Sequence, residues 1–138
     1  MARLVLASAL WALLALPVQA ASMPMDQPLT LANNITTVCT GIAQSKDDPR
    51  WEAYPVRIEF ANAANQYIAD VHVTLRQGSN VLADLDCPGA WVLFQLPKGR
   101  YQITAERRDA PQAPPASATF VPPANGQKRV VLVFKAAK

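Results

Sequence analysis

The sequence predicts an all-β domain, an antiparallel two-sheet Greek-key sandwich of about seven to eight strands. Short runs in which apolar and polar residues alternate recur along the chain between residues 56 and 134. Turn signals rich in Gly, Pro and Asn separate these runs. Patterns with the period of an amphipathic helix are nearly absent, which excludes the helical fold classes.

Residues 1–20 have the features of an export signal that is removed from the mature protein. Arg3 precedes an apolar run at residues 4–16, and Val18-Gln19-Ala20 fits the small-x-Ala cleavage rule. The run is shorter than the ~20 apolar residues that a membrane span needs, and no later segment is long enough either. We therefore expect cleavage after Ala20, a periplasmic or secreted protein, and no membrane span after cleavage.

The remaining chain suits a single domain. Residues 21–34 combine two prolines with no periodicity and predict a flexible N-terminal arm, and residues 35–138 contain the sandwich. The net charge is +3 with the basic residues scattered, whereas nucleic-acid binding proteins concentrate such charge on one face. The composition therefore speaks against nucleic acid as a partner.

Cys39 and Cys87 are the two cysteines of the chain. Export places them in an oxidising compartment, where a pair is more often bridged than free. A bridge closing a loop of about 49 residues would stabilise the fold by about 4 kcal/mol in the chain-entropy model. The alternative is two separate buried thiols; a metal site with no third ligand nearby is less favoured.

The first elements are a short strand at residues 35–41 and the one plausible helix, at residues 45–55. Asp48 would cap this helix, with Pro49 at its first position and Pro55 at its end. Clear strand alternation follows. In residues 56–60 the apolar side chains predict a buried face, and Arg57 and Glu59 predict a solvated one.

Residues 71–76 and 81–85 predict a hairpin around the turn at residues 77–80. Residues 90–96 are apolar on both faces, which predicts a covered strand. Strands at 101–106 and 129–134 alternate again. Residues 117–121 predict an edge strand because two prolines follow them directly.

Three short motifs within residues 69–101 carry a resemblance to a known family. They are Ala69-Asp70-Val71, Gly89-Ala90-Trp91 and Leu96-Pro97-Lys98-Gly99-Arg100-Tyr101. With them the chain resembles the carboxypeptidase regulatory-like domain, a small β-sandwich of the transthyretin-like (prealbumin-like) type, and small exported bacterial proteins that consist of this domain alone. The resemblance implies a fold, and a fold does not fix a function.

The last motif predicts a tight turn between two strands. Pro97 and Lys98 suit the centre of a type I turn, with Gly99 in a left-handed conformation at its end. Tyr101 would then point into the sandwich behind Leu96. Lys98 needs no ligand to explain it, so we interpret the motif as the hinge of the fold.

The sequence contains no recognisable catalytic arrangement, and we predict that the protein is not an enzyme. His72, the single histidine, falls on the polar face of its strand, and no nucleophile elbow is present. The transthyretin-like fold includes enzymes that hydrolyse 5-hydroxyisourate with several histidines and a C-terminal Tyr-Arg-Gly-Ser. This chain ends Lys-Ala-Ala-Lys instead, which departs from that branch.

Two further groups offer weak sites. Asp84 and Asp86 share one side of a strand end, where turn aspartates are commoner than paired glycosidase carboxylates. Met23 and Met25 carry thioethers that suit Cu(I), without a third soft ligand beside them. We expect no cofactor and no metal, and keep a periplasmic copper carrier as a distant alternative.

Trp51, Tyr54 and Trp91 are the candidate binding face. If Val92 and Phe94 face the core, Trp91 faces outward and would offer a platform for a sugar or a partner. The alternative, which we favour, is that residues 45–55 cover this face and Trp51 packs there in a second small core.

The sequence therefore predicts a non-catalytic exported β-sandwich module that acts by protein binding or in cell-envelope assembly. It would bind an unknown protein or glycan partner through its sheet edges and loops. A carbohydrate- or peptide-binding module is the alternative function.

Overall fold

The computed structural model describes residues 21–136, so the predicted export signal lies outside the described residues. Ten strands and three short 3₁₀ turns occupy this range. The strands are β1 (Ala21–Ser22), β2 (Leu29–Thr30), β3 (Thr36–Thr40), β4 (Val56–Asn62), β5 (Val71–Gln77), β6 (Asn80–Cys87), β7 (Trp91–Gln95), β8 (Tyr101–Arg107), β9 (Ala116–Phe120) and β10 (Lys128–Phe134). Within residues 21–136 no helix has the length and apolar character of a membrane span.

The strands form two sheets of five, with the orders β1-β6-β5-β8-β9 and β10-β4-β7-β3-β2. The predicted all-β, two-sheet sandwich is confirmed, and each of the eight predicted strands is present. Most neighbours are antiparallel, but β1 runs parallel to β6 and β10 runs parallel to β4. The segment after β9 crosses from the first sheet to the second and delivers β10 beside the start of β4, where Lys128 donates its backbone N–H to Pro55.

The main core lies between the sheets, where alternate side chains of both are buried. Its fully enclosed members include Val56, Ile58, Phe60, Val71, Val73, Leu75, Val92, Phe94 and Ile103. These positions follow the alternation of the sequence, because a strand that packs on one face buries every second side chain. Burying each such side chain stabilises the fold by about 1.5–3 kcal/mol.

A disulfide joins the two sheets. Cys39 of β3 and Cys87 of β6 are bonded, with their Cα atoms 5.6 Å apart. The predicted pairing is therefore confirmed, and it closes the side of the sandwich that lies opposite β9 and β10.

The segment at residues 21–34 packs along that same side. β1 pairs with β6 in the first sheet and β2 pairs with β3 in the second, so the segment bridges the sheet edges. Between them Met23 is 2% exposed and belongs to the core. Sequence periodicity did not show these two-residue strands because alternation needs more residues to be visible.

Gly99, in the turn after β7, has a positive φ as the sequence predicts, but not the left-handed helical value of about +57°. Gly99 has φ +150°, and a Cβ there would lie 2.6 Å from Gln77 Nε2. Tyr101 is 2% exposed, and its hydroxyl donates to the Pro97 carbonyl at 2.8 Å. The Tyr101 ring thus packs in the core, and its hydroxyl links the turn to β8. The motif therefore has a structural role.

Candidate functional site

The outer face of the second sheet is half covered. The predicted helix at residues 45–55 is two successive 3₁₀ turns, Ala43–Asp47 and Pro49–Ala53, and Asp48 accepts from the backbone of Arg50 as expected. Trp51 and Tyr54 from this segment pack on Val38 and Leu93 of the sheet. Trp51 also donates its indole N–H to the Ser45 carbonyl at 2.7 Å.

The second small core that we favoured is therefore present, and the exposed aromatic platform is wrong. Trp51 is 3% exposed, Tyr54 9% and Trp91 6%. Burial raises the pKa of Tyr54, and the charge of Arg50 opposes this shift. None of the three rings offers the open face that stacking on a sugar requires.

Trp91 is enclosed by charged and aromatic neighbours. The Arg57 guanidinium stacks on its ring at 4.4 Å, and Tyr67 meets it edge-on at 6.0 Å between centroids. Gly41 leaves room for the ring, since a Cβ there would lie 2.7 Å from Trp91 Cγ. The indole nitrogen is buried and has no hydrogen-bond partner among the described residues.

Glu59 is the polar centre of this face. The sequence predicts a solvated side chain, and this is wrong, because the carboxylate is fully buried. Arg129 donates to it from Nη2 at 2.9 Å and from Nε, and the Tyr67 hydroxyl donates to it at 2.8 Å. Arg57 Nε lies 3.0 Å from Glu59 Oε2, but the two atoms do not have the geometry of a hydrogen bond.

The protonation of Glu59 follows from these partners. Burial acts to raise its pKa, but hydrogen bonds from Arg129 and Tyr67 and the charge of Arg57 outweigh burial, so the pKa lies below its usual value. The same hydrogen bonds raise the pKa of Arg129. The ionised carboxylate of Glu59 therefore links β4 to Arg129 of β10 on the outer side of the sheet.

The uncovered half of the face ends at β10. Val130, Leu132 and Phe134 are buried, whereas Val131 is 38% exposed and Val133 47% exposed. Tyr67, which donates to Glu59 of the neighbouring strand β4, is 44% exposed. β4 is the neighbour of β10 in the sheet, and among residues 21–136 no strand pairs with its other edge. This strip is an exposed apolar surface on an unpaired strand.

His72 lies on the outer face of the first sheet, held between two carboxylates. Its Nδ1 is 2.7 Å from Asp86 Oδ1 and its Nε2 is 2.7 Å from Asp84 Oδ1. The sequence places Asp84 and Asp86 on one side of β6 but not beside His72, because that contact depends on the register of the β5–β6 hairpin. Both ring nitrogens are engaged by carboxylates.

The two N-terminal methionines contact the core and the disulfide. Met23 is buried between the sheets, and Met25 Sδ lies 3.6 Å from Cys39 Sγ. No group of three or more His, Cys, Asp or Glu side chains in the described part of the chain is arranged to hold a metal ion. The packing of these methionines accounts for them without copper.

Comparison with known proteins gives little further information. No protein-family model matches the chain, and no curated protein matches it. Among solved structures, 5-hydroxyisourate hydrolase of Klebsiella pneumoniae matches with a TM-score of 0.42 and 22% identity, over 59% of this chain and 87% of that one. A likeness of this size carries no argument about activity. The resemblance to the carboxypeptidase regulatory-like domain stays a prediction.

Proposed function

We propose that the protein is an exported, non-catalytic module that binds an extended segment of a partner protein by strand addition at β10. The observation that carries this proposal is the free edge of β10 together with exposed Val131 and Val133. A strand at a sheet edge presents a row of unpaired backbone N–H and C=O groups, which an extended peptide can pair with. The exposed valines would give that peptide an apolar contact.

The other sheet edges are less suited to strand addition. β1 and β2 have two residues each, and β9 has five and is followed by Pro122 and Pro123. Short strands and prolines are the usual protections of an edge. β10 has seven residues and no proline. It is therefore the longest of the four edge strands in the described residues, and no proline interrupts it.

The Glu59 cluster supports a preformed binding strand. Arg129 ties β10 to a buried carboxylate, so the strand is held in place before a partner arrives. A strand that is already ordered loses less entropy on binding, which favours affinity. Lys128 at its start and Lys135 after its end are exposed, and they favour a partner segment with acidic flanks.

Export and the cell-envelope setting are supported by the disulfide, since such bonds persist in oxidising compartments. The non-catalytic role is supported by His72, whose two ring nitrogens face carboxylates rather than a nucleophile. The carbohydrate alternative has no support from Trp51 or Trp91, because both rings are buried.

Site-specific photocrosslinking in the periplasm tests the proposal. A photoreactive phenylalanine analogue at position 133 should give a discrete protein adduct, and the same analogue at Val81, exposed on β6, should not. Val131→Lys should reduce the adduct from position 133 by disfavouring an apolar contact. Equal adducts from positions 81 and 133, or an adduct that Val131→Lys leaves unchanged, would contradict the proposal.

A further inference from the structure

A second surface, distinct from β10, lies at the end of the sandwich where β4 begins. It is an open cleft of about 400 Å³ between the turn after β7 and the segment after β9. Small-molecule sites typically have volumes of about 300–1,000 Å³. Its walls are formed by Pro55, Leu96, Val121, Pro122 and Pro123, with Lys98 beside them.

The cleft is built from parts with little conformational freedom. Three of its walls are prolines, whose rings fix the backbone φ. Leu96 is 9% exposed and anchored in the core, and the Pro97 carbonyl next to it accepts the Tyr101 hydroxyl. On the other side, the Pro55 carbonyl accepts the backbone N–H of Lys128, so that wall is also fixed. A ligand would meet a preformed surface.

The residues that line the cleft carry charge of one sign. Lys98 is the ionisable side chain among the lining residues, and the others are apolar. Arg100 lies two residues further along the same turn, and Lys128 is attached to Pro55 by its backbone. An apolar concave surface with a cation at its rim complements a ligand that has an apolar body and an anionic head.

The geometry points to a binding site for a small amphipathic carboxylate, with the carboxylate at Lys98 and the apolar chain on Leu96, Val121 and the prolines. Val121 is 51% exposed at present, and a ligand chain would cover it. Such a site would give the Pro97–Gly99 turn a role in ligand binding in addition to its role as a hinge. It is independent of strand addition at β10, because the lining residues of the cleft and the exposed side chains of β10 do not overlap.

Octanoate is a suitable probe, and octylammonium is its control with the opposite charge. In ¹⁵N-labelled mature protein, octanoate should shift the backbone signals of residues 96–99 and 121–124, and octylammonium should bind more weakly. Lys98→Gln should weaken octanoate binding by about threefold to fivefold, as the loss of an exposed ion pair predicts. Arg108→Gln, which removes an exposed cation after the end of β8 that lies away from the cleft, should leave binding unchanged.

A second variant separates the apolar contribution from the charge. Val121→Ser should weaken octanoate and its neutral analogue 1-octanol alike, whereas Lys98→Gln should weaken octanoate alone. Equal binding of octanoate and octylammonium, shifts confined to other residues, or no octanoate binding to a correctly folded protein would overturn the proposal. Binding of a peptide with an apolar C-terminus but not of octanoate would also overturn it and would indicate a protein terminus as the occupant.

Discussion

Arg129 of β10 donates two hydrogen bonds to the buried carboxylate of Glu59 on β4. The pair spans the parallel junction between these strands, where register places Val131 opposite Glu59. Glu59 also accepts from Tyr67, eight residues further along the chain, so β4, the segment after it and β10 meet at one carboxylate. The ion pair adds to the backbone pairing of β10 with β4 and to the burial of Val130, Leu132 and Phe134, which also hold the proposed binding edge in place.

Removing Arg129 should destabilise the protein. Arg129→Ala should lower the free energy of unfolding by about 3 kcal/mol, because it leaves a buried carboxylate with weaker compensation. Urea denaturation measures this change, and Arg100→Ala, which removes an exposed arginine, should change it by less than about 0.5 kcal/mol. Equal effects of the two substitutions would show that the Glu59 pair does not stabilise β10.

The stability of the protein should fall in acid because of Glu59. Its pKa is lower in the folded protein than in the unfolded chain, whose usual value is 4.5. The stabilisation from ionised Glu59 is therefore present above that value and is lost as the pH falls through the folded pKa. Unfolding free energies measured from about pH 5 to pH 3 should decline less steeply in Glu59→Gln than in the unsubstituted protein. Identical slopes would contradict the assignment of a lowered pKa.

The disulfide should contribute much of the stability. Replacing Cys39 and Cys87 together by alanine should lower the free energy of unfolding by about 4 kcal/mol, because the bridge restricts the unfolded chain. Thiol titration of the denatured, unreduced protein should detect no free thiol. Detection of two thiols would contradict the pairing of Cys39 with Cys87.

The two tryptophans on the outer face of the second sheet should be shielded from solvent. Beyond the predicted export signal, Trp51 and Trp91 are the tryptophans of the sequence. Both are buried, so fluorescence emission should be shifted to short wavelength and poorly quenched by iodide. Trp51→Ala should destabilise the fold by about 3–5 kcal/mol. Emission typical of free tryptophan would instead support the exposed platform.

The turn after β7 should not tolerate a side chain at Gly99. Gly99→Ala should cost about 1–3 kcal/mol, chiefly because a φ of +150° is strained for alanine; the end of the flexible Gln77 side chain can move away from the new Cβ. Gly126 is the matched control, because it also has positive φ (+76°) but nothing within 4 Å of a Cβ. Gly126→Ala should therefore cost less than Gly99→Ala, as measured by thermal unfolding.

Much of the sandwich could be predicted from local sequence, because strands that bury one face reveal themselves by alternation. The burial of Tyr101 and the positive φ of Gly99 follow from such local rules. The pairing of Cys39 with Cys87 could also be predicted, since the export signal that the sequence predicts favours a bridge between its two cysteines.

The candidate site could not be predicted in the same way. Glu59 has the alternation of a solvated residue, and it is buried because Tyr67, eight residues on, and Arg129, seventy residues on, reach it through the tertiary fold. The contact of His72 with Asp84 and Asp86 depends on hairpin register in the same manner. The free edge of β10 follows from sheet order, which depends on where the chain crosses between the sheets.

Amide hydrogen exchange along β10 tests strand addition most directly. It would be measured in the protein alone and in the complex captured through position 133. Strand addition predicts that amides of residues 128–134 that exchange rapidly in the free protein become at least about tenfold slower in the complex, because new backbone hydrogen bonds protect them. Unchanged exchange in β10, with protection appearing at other loops, would contradict the proposed function.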